Sequence, residues 1–195
     1  MDQHAINYGP GYSLPAESWQ PVSLVPEINA TIDSVASKSF VRAMRGAASG
    51  VNVVTTDGTA GRFGLTVSAF SSVSAEPPMV LVCVNRRSPA CAAIRQNRAF
   101  CVNVLSTSQR DLADTFAGIA ASGKPYDFAS GSWTRSRTGA PLLNGGVANF
   151  DCSLGSAIDA GTHTIFVGIV KAVEHSNASP LLYADRSYRH ACRAA

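Results

Sequence analysis

Short apolar, often β-branched runs recur along this chain, each closed by a turn signal. That rhythm limits the fold more than any other feature. "VNVVTT" (51–56), "MVLVCV" (79–84) and "AFCVNVL" (99–105) are three such runs. β-Branched side chains are stiff and suit a pleated surface. "DGTAG" after the first run is a hairpin signal. Pro77-Pro78 and Asn85 bound the second, which reads as a buried strand. The last third adds "GVANFDCSLGSAID", "HTIFVGIVKAVEH" and "PLLYADRSYRH". Helical segments are fewer. Over 37–50, Phe40, Ala43, Met44, Ala47 and Ala48 share one face, with Ser39 suited to cap the start and Gly50 the end. "SPACAAIRQN" is a helix opened by Ser88, with Pro89 at its first position. "SQRDLADTFAG" ends at Gly118. Many strands and few helices predict a mainly β fold: a closed or nearly closed barrel with helices outside it.

Residues 1–32 are rich in Pro, Gly and polar side chains and read as an arm, leaving 33–195 as the domain. Residues 119–140 form a Gly- and Ser-rich loop, with Trp133 as its anchor. The 195 residues are 46% hydrophobic and 15% charged, enough for one real core. Net charge is +3 and the cations are scattered. A nucleic-acid binder more often carries a basic stripe, whereas a mild positive balance suits small anions such as phosphates. The five cysteines form no CxxC pair. Cys83, Cys101 and Cys152 sit in apolar runs and read as reduced core thiols of a cytoplasmic protein. The first twenty residues lack the pattern of a signal peptide, and no apolar run approaches membrane-spanning length.

There is no GxSxG, HExxH, Walker loop or GxGxxG after a strand, and the four histidines have no ligand spacing. An enzyme built on this sequence would take its chemistry from an organic cofactor. The stretch "GRFGLTVSAFSSVSAEPPMVLVCVN" (61–85) puts Thr66, Ser68, Ser71, Ser72 and Ser74 between two apolar runs. A flat cofactor with a polar rim, such as a flavin ring, needs backbone amides and hydroxyls along one edge and small side chains that let it approach. "LTVSA" can offer these through Thr66 and Ser68. Asn85 and Ser88 lie where a strand gives way to a helix, and a helix N-terminus favours a phosphate. Asn103 is a polar group on a core strand and needs a partner. Each has a plainer reading. Thr66 and Ser68 fit local hydrogen bonds, Ser88 a simple cap, Asn103 a structural amide, and His163 a surface strand histidine.

Taken together, "FVRAMRGAASGVNVVTT…GLTVSAFSSVSAEPPMVLVCVNRRSPACAAI…FCVNVL…GTHTIFVGIV…PLLY" resembles the flavin reductase family with the FMN-binding split-barrel fold. Its members are the small reductase components of two-component flavin monooxygenases. The resemblance covers roughly residues 38–190. It implies a homodimer that binds FMN or FAD near the subunit interface and uses NADH or NADPH as reductant. It also implies a separate flavin-dependent oxygenase that receives the reduced flavin. "GLTVSAF" is similar to the family's Gly-Met-Thr-Ala segment, implying Gly64, Leu65, Thr66, Val67 and Ser68 at the isoalloxazine ring. "CVNRRSPACAAI" is similar to the segment that holds the ribityl phosphate, implicating Cys83, Asn85 and Ser88. "FCVNVL" brings Asn103 to the flavin. "GTHTIFVG" resembles the Gly-Asp-His motif, implying that His163 lies beside the flavin where the nicotinamide stacks. Thr162 stands where the family often has Asp, and Pro89-Ala90 replace the frequent Arg-Thr. Two other functions fit the same barrel: a flavoprotein reductase of another acceptor such as a corrinoid, and a non-catalytic flavin- or haem-binding module.

Overall fold

The apolar runs become strands in the computed structural model, which describes residues 35–120 and 123–192. In chain order the elements are α1 (Ser37–Met44), β1 (Ser49–Gly50), β2 (Asn52–Thr56), β3 (Phe63–Val67), β4 (Phe70–Ala75), β5 (Pro78–Asn85), α2 (Pro89–Asn97), β6 (Ala99–Val104), α3 (Arg110–Phe116), β7 (Trp133–Arg135), β8 (Pro141–Leu143), β9 (Ala148–Ala160), β10 (His163–His175), β11 (Leu181–Ala184) and β12 (Ser187–His190). Seven strands form one antiparallel sheet in the order β3-β2-β6-β9-β10-β5-β4. β11, β12 and β1 form a small second sheet.

The strand order forces the large sheet to curl. Its two edges, β3 and β4, are consecutive in sequence and joined only by Ser68 and Ala69. Six gaps of about 4.8 Å would hold the edges of a flat sheet roughly 29 Å apart. Three Cα steps reach at most about 11 Å. The sheet therefore rolls into a barrel whose seam is never zipped by a β3–β4 ladder. The expected barrel is present as a split one.

Phe100, Phe166, Val54, Val82, Val84, Val102 and Cys152 fill the interior, and α2 adds Ile94. Gly168 of β10 has to be glycine, since a Cβ there would stand 2.5 Å from Phe100 and 2.7 Å from the Cys152 Cβ. A second cluster sits under α3, where Leu112 and Phe116 meet Leu105 and Leu143. Phe128 and Trp133 of the following loop pack on that cluster. Trp133 donates its indole N–H to Phe128 O at 2.9 Å and forms an edge-to-face trio with Phe116 and Phe128. The loop also holds the short strand β7.

Several local expectations change. α1 is capped from Ala36 rather than Ser39, and Gly50 lies in β1, so the helix is shorter than its apolar pattern. None of its side chains is buried, and Phe40, Val41 and Met44 stand exposed. Ser71 and Ser72 are exposed on β4, an edge strand broken by a bulge before Ser74. Such polar side chains blunt an open edge, and the Ser71 hydroxyl donates to Ser72 O at 3.1 Å. α3 ends as expected, with Gly118 in the left-handed conformation at φ +80°. The expected arm, 1–32, lies outside the described residues.

Candidate functional site

Beside the seam, past the start of β4, β3 and the end of β5 border a groove. One part, about 460 Å³, is lined by Leu65, Thr66, Val67, Ser68, Cys83, Asn85 and His163. The adjoining part, about 610 Å³, takes Gly64, Leu65, Thr66, Asn85 and Ser88, with Phe116, Tyr126 and Phe128 as an aromatic wall. Both volumes are in the range of small-ligand sites. Every residue that the sequence reading placed at the cofactor, except Asn103, lines one part or the other.

Topology explains the convergence. β3 is an edge strand paired only to β2, so half of its backbone polar groups face the seam. β5 and β10 run antiparallel with Asn85 directly opposite His163, which brings "CVN" and "GTH" together at one rim. Ser68 is exposed, and among the described residues its hydroxyl has no protein partner. The Thr66 hydroxyl, by contrast, donates to Ala113 O at 2.7 Å and ties β3 to α3. Gly64 serves packing as well as access: a Cβ there would approach Phe116 to 2.6 Å.

At the β5–α2 corner, the Asn85 carboxamide oxygen accepts from Arg87 N at 2.9 Å. Ser88 precedes α2 at the cap position, with Pro89 next, and makes no side-chain capping bond. Its hydroxyl is left to face the groove, beside Arg87 and Arg62. Arg62 pairs with Asp57 at 2.9 Å and lies over the Phe128 ring. Across the groove, Thr162 Oγ1 sits 2.9 Å from His163 Nδ1. The threonine that replaces the family's frequent aspartate thus still contacts the imidazole. Partial burial pushes the Cys83 thiol up from its ordinary value, so it lines the groove as a neutral group.

Asn103 lies apart from the groove. It is fully buried on β6, and its amide is consumed by protein. Nδ2 donates to Val53 O at 2.9 Å and Thr55 Oγ1 at 3.1 Å. Oδ1 accepts from Leu143 N and Asn149 Nδ2, both at 2.8 Å. Asn103 welds β2, β6, β8 and β9 together and lines neither part of the groove. Conversely, sequence reasoning missed Arg62, Phe116, Tyr126 and Phe128. They come from a hairpin loop, a helix end and a long loop, and no local spacing marks them.

The residues fit a flavin. The seam supplies an edge strand with free backbone groups, small side chains at Ser68 and Ala69, and an apolar Leu65. The far end supplies a hydroxyl at a helix start and two arginines.

Comparison with known proteins agrees. The family model "Flavin reductase like domain" matches residues 44–191. A relative from Methylorubrum extorquens (strain PA1), "FMN reductase (NADH) RutF 2", is 41% identical over 163 residues, covering 83% of this chain and 94% of the relative. The flavin reductase component of a bacterial two-component tryptophan halogenase, BorF, superposes with TM-score 0.71 at 34% identity, covering 80% of this chain and 98% of BorF. The Streptomyces globisporus C-1027 NADH:FAD oxidoreductase SgcE6, in complex with NAD and FAD fragments, superposes with TM-score 0.73 at 30% identity, covering 82% and 97%. With three quarters of its length matched and its barrel and groove in place, this chain belongs to the flavin reductase-like family.

Proposed function

We propose that the protein is an NAD(P)H:flavin oxidoreductase that reduces FMN or FAD and releases the reduced flavin to a separate oxygenase. The observation that carries this reading is the unzipped seam, with β3 unpaired on that side, exposed Ser68 at its end and His163 on the opposite rim. Flavin bound there supplies the hydride acceptor for a dihydronicotinamide.

The chain's own work is positioning. Backbone groups of β3 and the Ser68 hydroxyl would grip the ring's polar rim, and preorganised dipoles of that kind stabilise negative charge. Ser88, Arg87 and Arg62 would hold the phosphate end. Thr162 orients His163. When its hydroxyl donates to Nδ1, the proton sits on Nε2, and the ring can donate to a carboxamide. Among the described residues nothing closes over the groove, which suits a donor and an acceptor that both come and go. Named relatives use FMN with NADH, and one solved neighbour is an NADH:FAD oxidoreductase. FMN with NADH is therefore the first pair to test. An oxygenase partner is supported by neighbours such as BorF, a component of a two-component enzyme. Among the described residues no helix is long and apolar enough to cross a membrane.

The test mixes purified protein with NADH or NADPH, with and without FMN or FAD, and follows nicotinamide absorbance in air. Rapid oxidation that depends on added flavin is expected. No oxidation under any combination overturns the reading.

A further inference from the structure

A third cavity, about 540 Å³, opens on the α3 side of the seam and shares Thr66, Val67 and Ser68 with the groove. Its far wall is the β11–β12 hairpin, which contributes Tyr183, Arg186 and Tyr188. Arg110 and Asp114 of α3 face them.

The wall is organised. The Arg110 guanidinium lies 5.2 Å over the Tyr188 ring, and Tyr183 packs edge-on against Tyr188 at 5.5 Å. Tyr188 donates its hydroxyl to Asp114 Oδ1 at 2.6 Å. Neither Arg110 nor Arg186 has an ion-pair partner among the described residues. Arg186 also lines an adjoining hollow with Lys38, Arg42 and Arg45, and the Nε of Arg45 is buried with no hydrogen-bond partner there. Cations thus gather at one side of the cavity, with no carboxylate among the residues lining the hollow.

Arg186 occupies a conformation its residue type resists. Asp185 and Arg186 form the two-residue hairpin turn with φ +48° and +58°. Such turns favour Asp-Gly or Asn-Gly, and a long side chain there is strained. An outlier of this kind is a reason to look for function, and the cavity supplies one.

We propose that this cavity binds the adenosine diphosphate end of a dinucleotide. Arg186 and Arg110 take the phosphates, since guanidinium groups match phosphate geometry. Tyr183, 39% exposed, offers a ring for the adenine. The Asp114 oxygen that Tyr188 leaves unused accepts from the ribose hydroxyls. The inference rests on the reductase reading, because the donor reaching the seam carries such a group. FAD carries the same chemistry, so the test separates the two sources.

Calorimetric titration with ADP, in the absence of flavin, is the first measurement. Wild-type protein is expected to bind ADP. Arg186→Gly is expected to lose affinity about tenfold or more. Its Tm should rise by about 2 °C as the turn relaxes. If the group belongs to the donor, KM for NADH rises by a similar factor in Arg186→Gly, while KM for reduced nicotinamide mononucleotide does not. If it belongs to flavin, FAD affinity falls, FMN affinity does not, and KM for NADH holds. Wild-type protein that does not bind ADP overturns the proposal, as does unchanged ADP affinity in both Arg186→Gly and Arg110→Ala. ADP binding needs no turnover, so its failure is distinct from failure to oxidise NADH.

Discussion

Asn103, inside β6, and Ser68, just past the end of β3, show how similar polar residues part company. Asn103 has four hydrogen-bond contacts to three other strands. Asn103→Ala orphans the Leu143 N–H and takes one of two acceptors from the Asn149 amide, which keeps Leu143 O, in a dry interior where each unsatisfied group costs about 1–3 kcal/mol. A loss of about 3 kcal/mol is expected, lowering Tm by roughly 6–12 °C. Urea and thermal melts measure it, and FMN affinity below the transition should stay within about twofold. Ser68→Ala is expected to do the reverse. Its hydroxyl is exposed and spends nothing on the fold, so Tm should hold while FMN affinity falls several-fold in a fluorescence titration. Equal loss of FMN affinity in the two variants would return Asn103 to the site. Thr66 lies between them, because its hydroxyl serves α3 and its backbone lines the seam.

At the level of elements, the strands were legible because their signal is local. β-Branched runs bounded by Pro, Gly and Asn became β2, β5, β6, β9 and β10. The rim of the groove was legible for the same reason, since "GLTVS", "CVN" and "GTH" each end or begin a strand. What was not legible depends on distant chain. The aromatic wall comes from residues 116 to 128, about fifty positions past β3, and the partners of Asn103 lie forty or more residues away. The cap of α1 was misread because Ser39 is a good cap by type, yet among the described residues none of α1's side chains is buried to fix its start there. The core strands also carry their thiols into the interior. Burial raises the Cys101 thiol well above its ordinary value and the Cys152 thiol to about 12, with Asp151 adding to both. At pH 8, iodoacetamide should label exposed Cys192 in native protein, and Cys101 and Cys152 only after unfolding. From about pH 9 the unfolded chain gives up the Cys152 proton while the folded chain keeps it. The stability this thiol contributes is complete below pH 9 and is lost as pH rises toward 12. The urea midpoint should therefore fall less steeply with pH in Cys152→Ala than in the wild type. Parallel slopes would mean that the thiol titrates alike in both states.

For the whole molecule, the unresolved physical problem is α1. It is a two-turn helix with an apolar face and no buried side chain; Phe40 is 57% exposed, Met44 52% and Val41 50%. A short helix has little stability of its own and needs packing on its apolar face. The described residues of one chain do not provide that packing. A second copy would, and the resemblance to the flavin reductase family points the same way, so the expected assembly is a homodimer with α1 in its interface. Isologous contact would bury the face of α1 from both subunits together. Wild-type protein should then sediment at twice the 20.3 kDa chain mass. The double variant Phe40→Glu, Met44→Glu should sediment at the chain mass, because two pairs of carboxylates would be desolvated in the interface. The barrel core contains neither residue, so the variant should keep its far-ultraviolet dichroism and a cooperative melt. A wild-type protein that sediments as a single chain would mean that α1 is covered by something other than its own copy, and the dimer would have to be given up. A double variant that stays dimeric would keep the dimer but move its interface to another face, with the exposed Val73 of the β4 edge and Val173 of β10 the next positions to change.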